Sequence, residues 1–191
     1  ITNQQNKKSM TTWMLDQSHS EVGFKVRHMM ITNVTGYFKN FKAAVQTEND
    51  DFTTAKVHFS AAIDSISTNN EQRDGHLKHA DFFDMANHPE LTFESSHIER
   101  LDDSDYKLHG TLTMRGISKP VALDVAYGGI VQDPWGNTRA GFTVTGKLNR
   151  TDFGVSFGAA TETGGVLLAH DVHISCNVQF TKHTEAVETV A

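Results

Sequence analysis

The sequence predicts an all-β protein, a single closed antiparallel β-barrel of about eight strands with a short helical insert near residues 69–88. Apolar and polar residues alternate along most of the chain, which is typical of strands with one buried face. Many such strands need a barrel or a sandwich to bury that face and to hide the strand edges. The chain contains 3 prolines, a scarcity that suits long hydrogen-bonded ladders.

The individual elements follow from the alternation and from the turn residues that interrupt it. Clusters of Asp, Asn, Gly and Pro, such as residues 48–51 and 133–137, mark turns between strands. The insert lacks alternation and is predicted as one or two short helices, with Thr68 and Asn69 as candidate N-caps. The predicted strands lie near residues 13–16, 20–28, 34–47, 53–66, 91–100, 105–115, 118–132, 138–150 and 165–181.

Length and charge limit the possible organisation and partners. A chain of 191 residues is predicted to form one domain, with a polar tail or added remnant at residues 1–11, the barrel at 12–181 and a loose tail at 182–191. The net charge of −6 argues against nucleic acid as a partner. No apolar run is long enough for an integral membrane segment, and the start lacks a signal peptide. We therefore expect a cytoplasmic protein, or a periplasmic or secreted one if a signal peptide has been removed.

The parity of the alternating residues predicts which side chains face the barrel interior. A one-residue slip in any strand would invert its set. Phe82 and Phe83, which belong to the insert, are expected to form a lid. Small residues at core parity, such as Gly36, Gly110 and Gly146, favour an elongated cavity or simply let the sheet curl. The candidate ligand-binding residues are Phe24, Val26, Phe38, Val57, Phe59, Phe82, Phe83, Phe93, Leu112, Leu123, Phe142, Val144, Val172 and Ile174.

The residues that could carry chemistry do not form a known catalytic or metal-binding pattern. The single cysteine, Cys176, excludes an intrachain disulfide and a multi-cysteine zinc site. The His-x-x-His spacing at His76 and His79 lacks further convergent ligands, so no metal site is predicted. His19 and Ser20 are neighbours on an extended segment, where their side chains diverge, and the chain has no Gly-x-Ser-x-Gly elbow. We therefore expect no enzyme activity, no catalytic residues and no cofactor.

Several charged residues have two possible roles. Arg73 and Asp74, in the insert, could meet the polar head of a ligand or pin the insert to the barrel, and the second role is favoured. Arg150 and Asp152 share a parity and could form a similar lock at a strand end. Arg115 and Lys119 flank a tight turn and are expected to be solvated.

A series of short motifs runs through the chain in a fixed order. The strongest block, residues 110–121, reads Gly-Thr-Leu-Thr-Met-Arg-Gly-Ile-Ser-Lys-Pro-Val. With the other blocks it resembles the YceI-like proteins, the polyisoprenoid-binding family with an extended lipocalin-like barrel, over residues 12–181. The other blocks are residues 13–16, 19–20, 24–29, 36–38, 73–77, 81–84, 133–136, 139–142 and 149–154.

The resemblance implies a lipocalin-like barrel from a soluble bacterial protein. It implies that a long apolar lipid tail, from a polyisoprenoid, an isoprenoid quinone or a fatty acid derivative, binds inside the barrel for storage, transport or sensing. The expected partner is this hydrophobic ligand, and a homodimer is possible. The alternative is a non-catalytic interaction or stress-response module whose barrel is filled by its own side chains.

Overall fold

The computed structural model describes residues 9–158 and 167–183, which form one antiparallel sheet around a single short helix. The helix α1 spans Glu71–Leu77, and short 3-10 turns lie at Gln17–His19, Ile63–Ser65 and Arg150–Phe153. The strands are β1 (Met10–Leu15), β2 (Glu21–His28), β3 (Thr32–Phe38), β4 (Phe41–Glu48), β5 (Asp51–Ala62), β6 (Ile66–Ser67), β7 (Glu90–Arg100), β8 (Asp105–Met114), β9 (Ile117–Gln132), β10 (Thr138–Asn149) and β11 (Leu168–His183).

The sheet closes on itself. Its strands follow the order β1-β4-β5-β7-β8-β9-β10-β11, and β11 pairs with β1 to complete an eight-strand antiparallel barrel. The long strand β11 also pairs with β2, which continues through β3 to β6. Consecutive elements β1 and β2 thus act as the halves of one bent strand, and β4 and β3 lie beside them in the same way. The predicted closed barrel of about eight strands is confirmed.

The single strand predicted at residues 34–47 is wrong, because the chain bends at residues 39–40 between β3 and β4. There the Lys39 amide donates to the Ser65 carbonyl at 3.1 Å, and the Ala62 amide donates to the Asn40 carbonyl at 2.9 Å. These bonds tie the bend to the next stretch of chain. The strand predicted at residues 53–66 is also interrupted: β5 ends at Ala62, and a 3-10 turn at Ile63–Ser65 separates it from β6.

Along the chain, the barrel strands begin before residue 12 and end after residue 181, the predicted limits of the barrel. Strand β1 begins at Met10, and β11 continues to His183, which lies opposite Thr12. Residues 1–8 and 184–191 of the predicted tails, and residues 165–166 of the last predicted strand, lie outside the described residues.

The insert is pinned to the barrel by its own first residues. Asn70 is the N-cap of α1, where Thr68 and Asn69 were predicted, and its side chain accepts from the Arg73 amide. The Arg73 guanidinium donates to the Thr68 hydroxyl and carbonyl at 2.7 and 2.8 Å. Asp74 accepts from the Thr68 amide at 2.8 Å. Both charged side chains therefore anchor the helix, as the favoured prediction held.

A β-bulge in β9 changes which residues face inward. Tyr127 lies opposite Phe142 on β10, but Gly129 lies opposite Gly141, so one residue of β9 is unpaired. Gly129 has a φ of +107°, a conformation that glycine adopts without strain. Continued alternation along β9 would place Gly129 in the inward set with Val121, Leu123 and Val125. The extra residue removes it from that set, and sequence alternation does not reveal such a residue.

Candidate ligand cavity

The barrel encloses a cavity of about 290 Å³ whose wall is almost entirely apolar. The cavity keeps inward side chains of the long strands partly accessible: Leu123, Val144 and Ile174 are half-buried, while their chain neighbours on the outer face are exposed. Within the described part of the chain, the lining side chains with a nitrogen, an oxygen or a thiol are Arg150, Tyr106 and Cys176. This wall can bury an apolar molecule and offers little to a polar one.

All of the candidate ligand-binding residues predicted from parity lie in this wall. They come from strands on every side of the barrel, and the insert residues Phe82 and Phe83 contribute from one end. Their contact with a ligand stays a prediction. These residues are Phe24, Val26, Phe38, Val57, Phe59, Phe82, Phe83, Phe93, Leu112, Leu123, Phe142, Val144, Val172 and Ile174.

The wall also contains residues that the sequence reasoning did not select. Most continue the same alternation at strand ends, so parity alone could have found them. Arg150 also continues the inward, even-numbered set of β10, but the sequence reasoning did not select it because it is charged. The additional lining residues are Val22, Gly23, Ala43, Val45, Phe52, Ala55, Leu77, Leu91, Ile98, Tyr106, Leu108, Met114, Val121, Val125, Leu148, Arg150, Val155, Leu168, Cys176, Val178 and Phe180.

One end of the cavity is closed by a lid formed by His76, Leu77, Phe82, Phe83 and Phe157. The His76 ring stacks edge-on against Phe82 and Phe157, with centroid distances of 5.0 and 4.9 Å. Phe83 meets Phe38 of the barrel wall at 6.3 Å. His76 thus serves as an aromatic packing partner, and its imidazole also lies 3.5 Å from the Asp81 carboxylate.

The opposite end is filled by a second aromatic group. Trp13 is fully buried, and its indole nitrogen donates to the Thr47 hydroxyl at 3.1 Å. Its ring packs against Phe52 at 5.1 Å, and Phe52 in turn meets Phe142 at 5.0 Å and Tyr127 at 5.5 Å. The open space therefore lies between two aromatic layers.

Buried Arg150 closes the side of the cavity next to the lid. Its guanidinium donates to the carbonyls of Val155 and Phe157 at 2.8 and 2.7 Å, and to those of Leu168 and Ala169 at 3.0 and 2.8 Å. Burial lowers the pKa of Arg150. The expected lock with Asp152 is replaced by these carbonyl bonds, which clamp residues 155–157 to the start of β11.

Arg115 has a related role at the insert, and the expectation that it is solvated is wrong. Its guanidinium donates to the Gly154 carbonyl at 2.6 Å and to the Ala80 carbonyl at 2.7 Å. Arg115 therefore joins the insert to the segment that follows β10. Lys119 of the same turn is exposed, as expected.

Small residues in the wall make room for neighbouring side chains. A Cβ atom on Gly110 would lie 2.4 Å from the Phe93 ring, and one on Gly146 would lie 2.5 Å from a Leu123 methyl group. These contacts are shorter than any packing allows, so both positions require glycine while the neighbours keep their places. The glycines thus hold large inward side chains flat against the wall.

Cys176 faces the cavity, and its thiol is weakly nucleophilic at neutral pH. Burial raises the pKa of its thiol to about 11. The thiolate, which is the reactive form, is therefore scarce at neutral pH.

Polar clusters lie outside the cavity. At the end opposite the lid, Arg139 donates to Asp133 at 2.7 Å and also contacts Asp16. Asp16 Oδ2 lies 2.9 Å from His19 Nδ1, and the Ser18 hydroxyl lies 3.1 Å from the same nitrogen. In a catalytic triad the serine and the aspartate contact different nitrogens of the ring, so this cluster does not have the geometry of a triad.

Among residues 9–158 and 167–183, no group of three His, Cys, Asp or Glu side chains could hold a metal ion. The helix in these ranges is too short to cross a membrane.

A closed barrel around an apolar cavity, with a helical lid, defines a lipocalin-like architecture. The family model of the YceI-like domain matches residues 13–180, and the chain belongs to this family. A UPF0312 protein of Staphylococcus aureus strain N315 is 37% identical over 172 residues, which cover 90% of this chain and 98% of that protein.

Solved structures show the same fold. The Campylobacter jejuni YceI protein matches with a TM-score of 0.72 and 33% identity, covering 90% of this chain and 97% of that one. A polyisoprenoid binding domain from Saccharophagus degradans matches with a TM-score of 0.64 and 12% identity, covering 93% of this chain and all of that one. The second likeness establishes the fold alone.

Proposed function

We propose that the protein binds the apolar tail of an isoprenoid or fatty lipid inside the barrel. The observation that carries this proposal is the cavity of about 290 Å³ with its apolar wall, enclosed between the lid and the Trp13 layer. Burying a few hundred Å² of ligand surface at about 25 cal/mol per Å² gives several kcal/mol before the entropic cost of association. This driving force does not depend on the identity of the head group.

The charged wall residue Arg150 does not contradict an apolar ligand. Four of its hydrogen bonds go to backbone carbonyls, so the guanidinium is already satisfied before any ligand arrives. A polar head would gain little deep in the cavity, and we expect it to lie at one end of the barrel. The choice among ligands would then depend on the length and branching of the tail, because only tails that fit the shape of the cavity can be buried in it.

The isoprenoid class is supported by the family and by the polyisoprenoid binding domain that shares the fold. The cavity volume lies near the lower end of the range of about 300–1,000 Å³ that is usual for ligand pockets. A short isoprenoid such as farnesol is therefore the first ligand to test, ahead of a long quinone.

A pair of tryptophan variants on β10 tests the proposal. Val144→Trp places a large ring in the cavity, whereas Thr145→Trp places the same ring on the outer face. Farnesol uptake, followed by native mass spectrometry and by titration, should be lost in Val144→Trp and unchanged in Thr145→Trp. The proposal fails if the wild-type protein takes up no farnesol or if Val144→Trp, still folded, binds it as well as the wild type does.

The second candidate function is an interaction module with a filled barrel. It is favoured by the inward rings and methyl groups that lie over Gly110 and Gly146 and reduce the open space. A filled barrel would take up neither farnesol nor a fatty acid, and Val144→Trp would then only strain the core. The same titration therefore separates the two functions.

A further inference from the structure

The turn between β2 and β3 displays three consecutive large apolar side chains to solvent. Met29, Met30 and Ile31, here called the apolar tip, are 45%, 66% and 76% exposed. Isolated exposed apolar residues are common on soluble proteins, but a contiguous group marks an interaction site more often. Most of the surface of Met30 and Ile31 faces solvent, so packing in the barrel does not account for their apolar character.

The backbone of the tip makes these residues a costly choice. Met29 and Met30 have φ angles of 49° and 64°, and the Ile31 amide donates to the His28 carbonyl at 3.2 Å. Two successive positive φ angles favour Gly, which has no Cβ atom, and Asn, whose short polar side chain can bond the local backbone, whereas other side chains are strained there. By contrast, the turn at residues 133–137 places its positive φ of 87° on Gly136. The tip therefore keeps two methionines against the local preference of its backbone.

The tip lies beside the lid of the cavity. The Met29 amide donates to the Leu167 carbonyl at 2.8 Å, and His28 is paired with Leu168, which lines the cavity. The Arg150 guanidinium connects the Leu168 carbonyl to the Phe157 carbonyl of the lid segment. A surface that contacts the tip would therefore also meet the end of the barrel at which the lid lies.

Two basic residues of β2, Lys25 and Arg27, precede the tip, although the whole chain is acidic. The Arg27 guanidinium donates to the Met30 carbonyl at 3.0 Å, which holds its charge at the turn. Lys25 lies between Thr35 on β3 and His173 on β11, and Arg27 lies opposite Asn33 on β3. An apolar tip flanked by cations fits the boundary between lipid head groups and acyl chains.

The geometry points to the apolar tip as a membrane-contact element that enters the interfacial region of a lipid bilayer. Arg27 and Lys25 then face the phosphate groups, and the lid end of the barrel lies against the lipid surface. The proposed membrane contact depends on the tip and its neighbouring cations and does not require a ligand in the cavity. Its use in loading the cavity rests on the function proposed above. The tip would place the lid next to the phase in which long apolar tails are dissolved.

Vesicle flotation tests this inference with a variant designed to fold. Met29→Asn, Met30→Gly and Ile31→Thr together remove the apolar side chains and supply the residues that the turn backbone favours. With vesicles of phosphatidylcholine and a minority of phosphatidylglycerol, the wild-type protein should float, and the triple variant should lose about tenfold or more of its partitioning. The matched control is Trp135→Ser, which removes a side chain that is 81% exposed in the turn after β9, away from the tip. It should float like the wild type.

Other results would overturn the inference. These are a wild-type protein that does not float, a triple variant that floats equally well, or a loss confined to Trp135→Ser. A triple variant that changes the oligomeric state without vesicles, measured by light scattering, would instead assign the tip to contact between protein copies.

Farnesol binding in solution keeps the two proposals separate. The triple variant should bind farnesol as the wild type does. Flotation that depends on the tip, in a protein that takes up no farnesol, would uphold the membrane contact while the proposed ligand fails.

Discussion

The ring of Phe24 on β2 lies directly over Gly36 on β3. The two residues are paired across the strands, and a Cβ atom on Gly36 would lie 2.3 Å from the nearest ring carbon. The same ring meets Phe38 at 5.8 Å, and both rings line the cavity. Gly36 therefore fixes the position of Phe24 against the wall and so keeps the cavity open at this point.

The first prediction follows from this contact. Gly36→Ala should push the Phe24 ring into the cavity and lower the free energy of unfolding by about 1–3 kcal/mol, because overpacking forces side chains from their preferred rotamers. Chemical denaturation measures the loss, and farnesol titration should show weaker binding.

The control for this change is another glycine. Gly75 lies in helix α1, and a Cβ atom there would meet nothing within 4 Å. Gly75→Ala should stabilise the protein by about 0.5–1 kcal/mol, since alanine favours the helix. Equal effects at the two positions would contradict the role of Gly36.

Alternation predicted the barrel and the inward residues because a buried face must be apolar at every second position. It could not detect the bulge at Gly129, where one extra residue inverts the parity, or the bend at residues 39–40, which is held by backbone bonds to residues 62–65. Small residues at core parity also favoured a cavity, but its volume could not be predicted, because it depends on how rings such as that of Phe24 settle over glycines such as Gly36. The roles of Arg115 and Arg150 depend on carbonyls that are distant in sequence and meet only in the fold.

The second prediction concerns the clamp made by Arg150. Arg150→Gln should lower the free energy of unfolding by about 2–5 kcal/mol, because several bonds from a charged donor are lost and buried carbonyls remain unpaired. Arg150→Lys should be only partly better, since one ammonium group cannot reproduce the planar fork that reaches four carbonyls. Chemical denaturation of both variants measures the effect.

The matched control for the clamp is a surface arginine. Arg100 is half exposed and pairs with Asp103 at 2.8 Å. Arg100→Gln should change stability by no more than about 1 kcal/mol. A similar loss for Arg100→Gln and Arg150→Gln would show that the four carbonyl bonds add nothing.

The third prediction is a loss of stability in acid that depends on Arg139. The Ser18 hydroxyl is the largest cause that holds the pKa of Asp16 well below its usual range, with His19 and Arg139 adding to it against the effect of burial. Burial acts to raise the pKa of Asp133, but hydrogen bonds from Arg139 and Asn137 outweigh it and lower the value from 3.8 to about 2. Both carboxylates are thus more acidic in the folded protein than in the unfolded chain.

The sign follows from these directions. Between about pH 4 and about pH 2 the unfolded chain binds more protons, so the stability that these carboxylates contribute is complete above this window and is lost as the pH falls through it. Arg139→Gln, which keeps both carboxyl groups, should flatten the dependence of the unfolding free energy on pH in this window. Parallel curves for the variant and the wild type would contradict the role of Arg139.

The fourth prediction uses Cys176 as a reporter of the cavity. Its thiol faces inward, and burial raises its pKa to about 11, so a hydrophilic disulfide reagent should react very slowly with the folded protein at pH near 8. The double variant Cys176→Ser with Ser175→Cys moves the thiol to the exposed outer face of the same strand and should react rapidly. A small apolar maleimide also needs the thiolate, so its reaction with Cys176 should be slow but faster than that of the hydrophilic reagent, and farnesol should slow it further by occupying the same space. If farnesol leaves the rate unchanged although it binds, its site lies elsewhere on the protein.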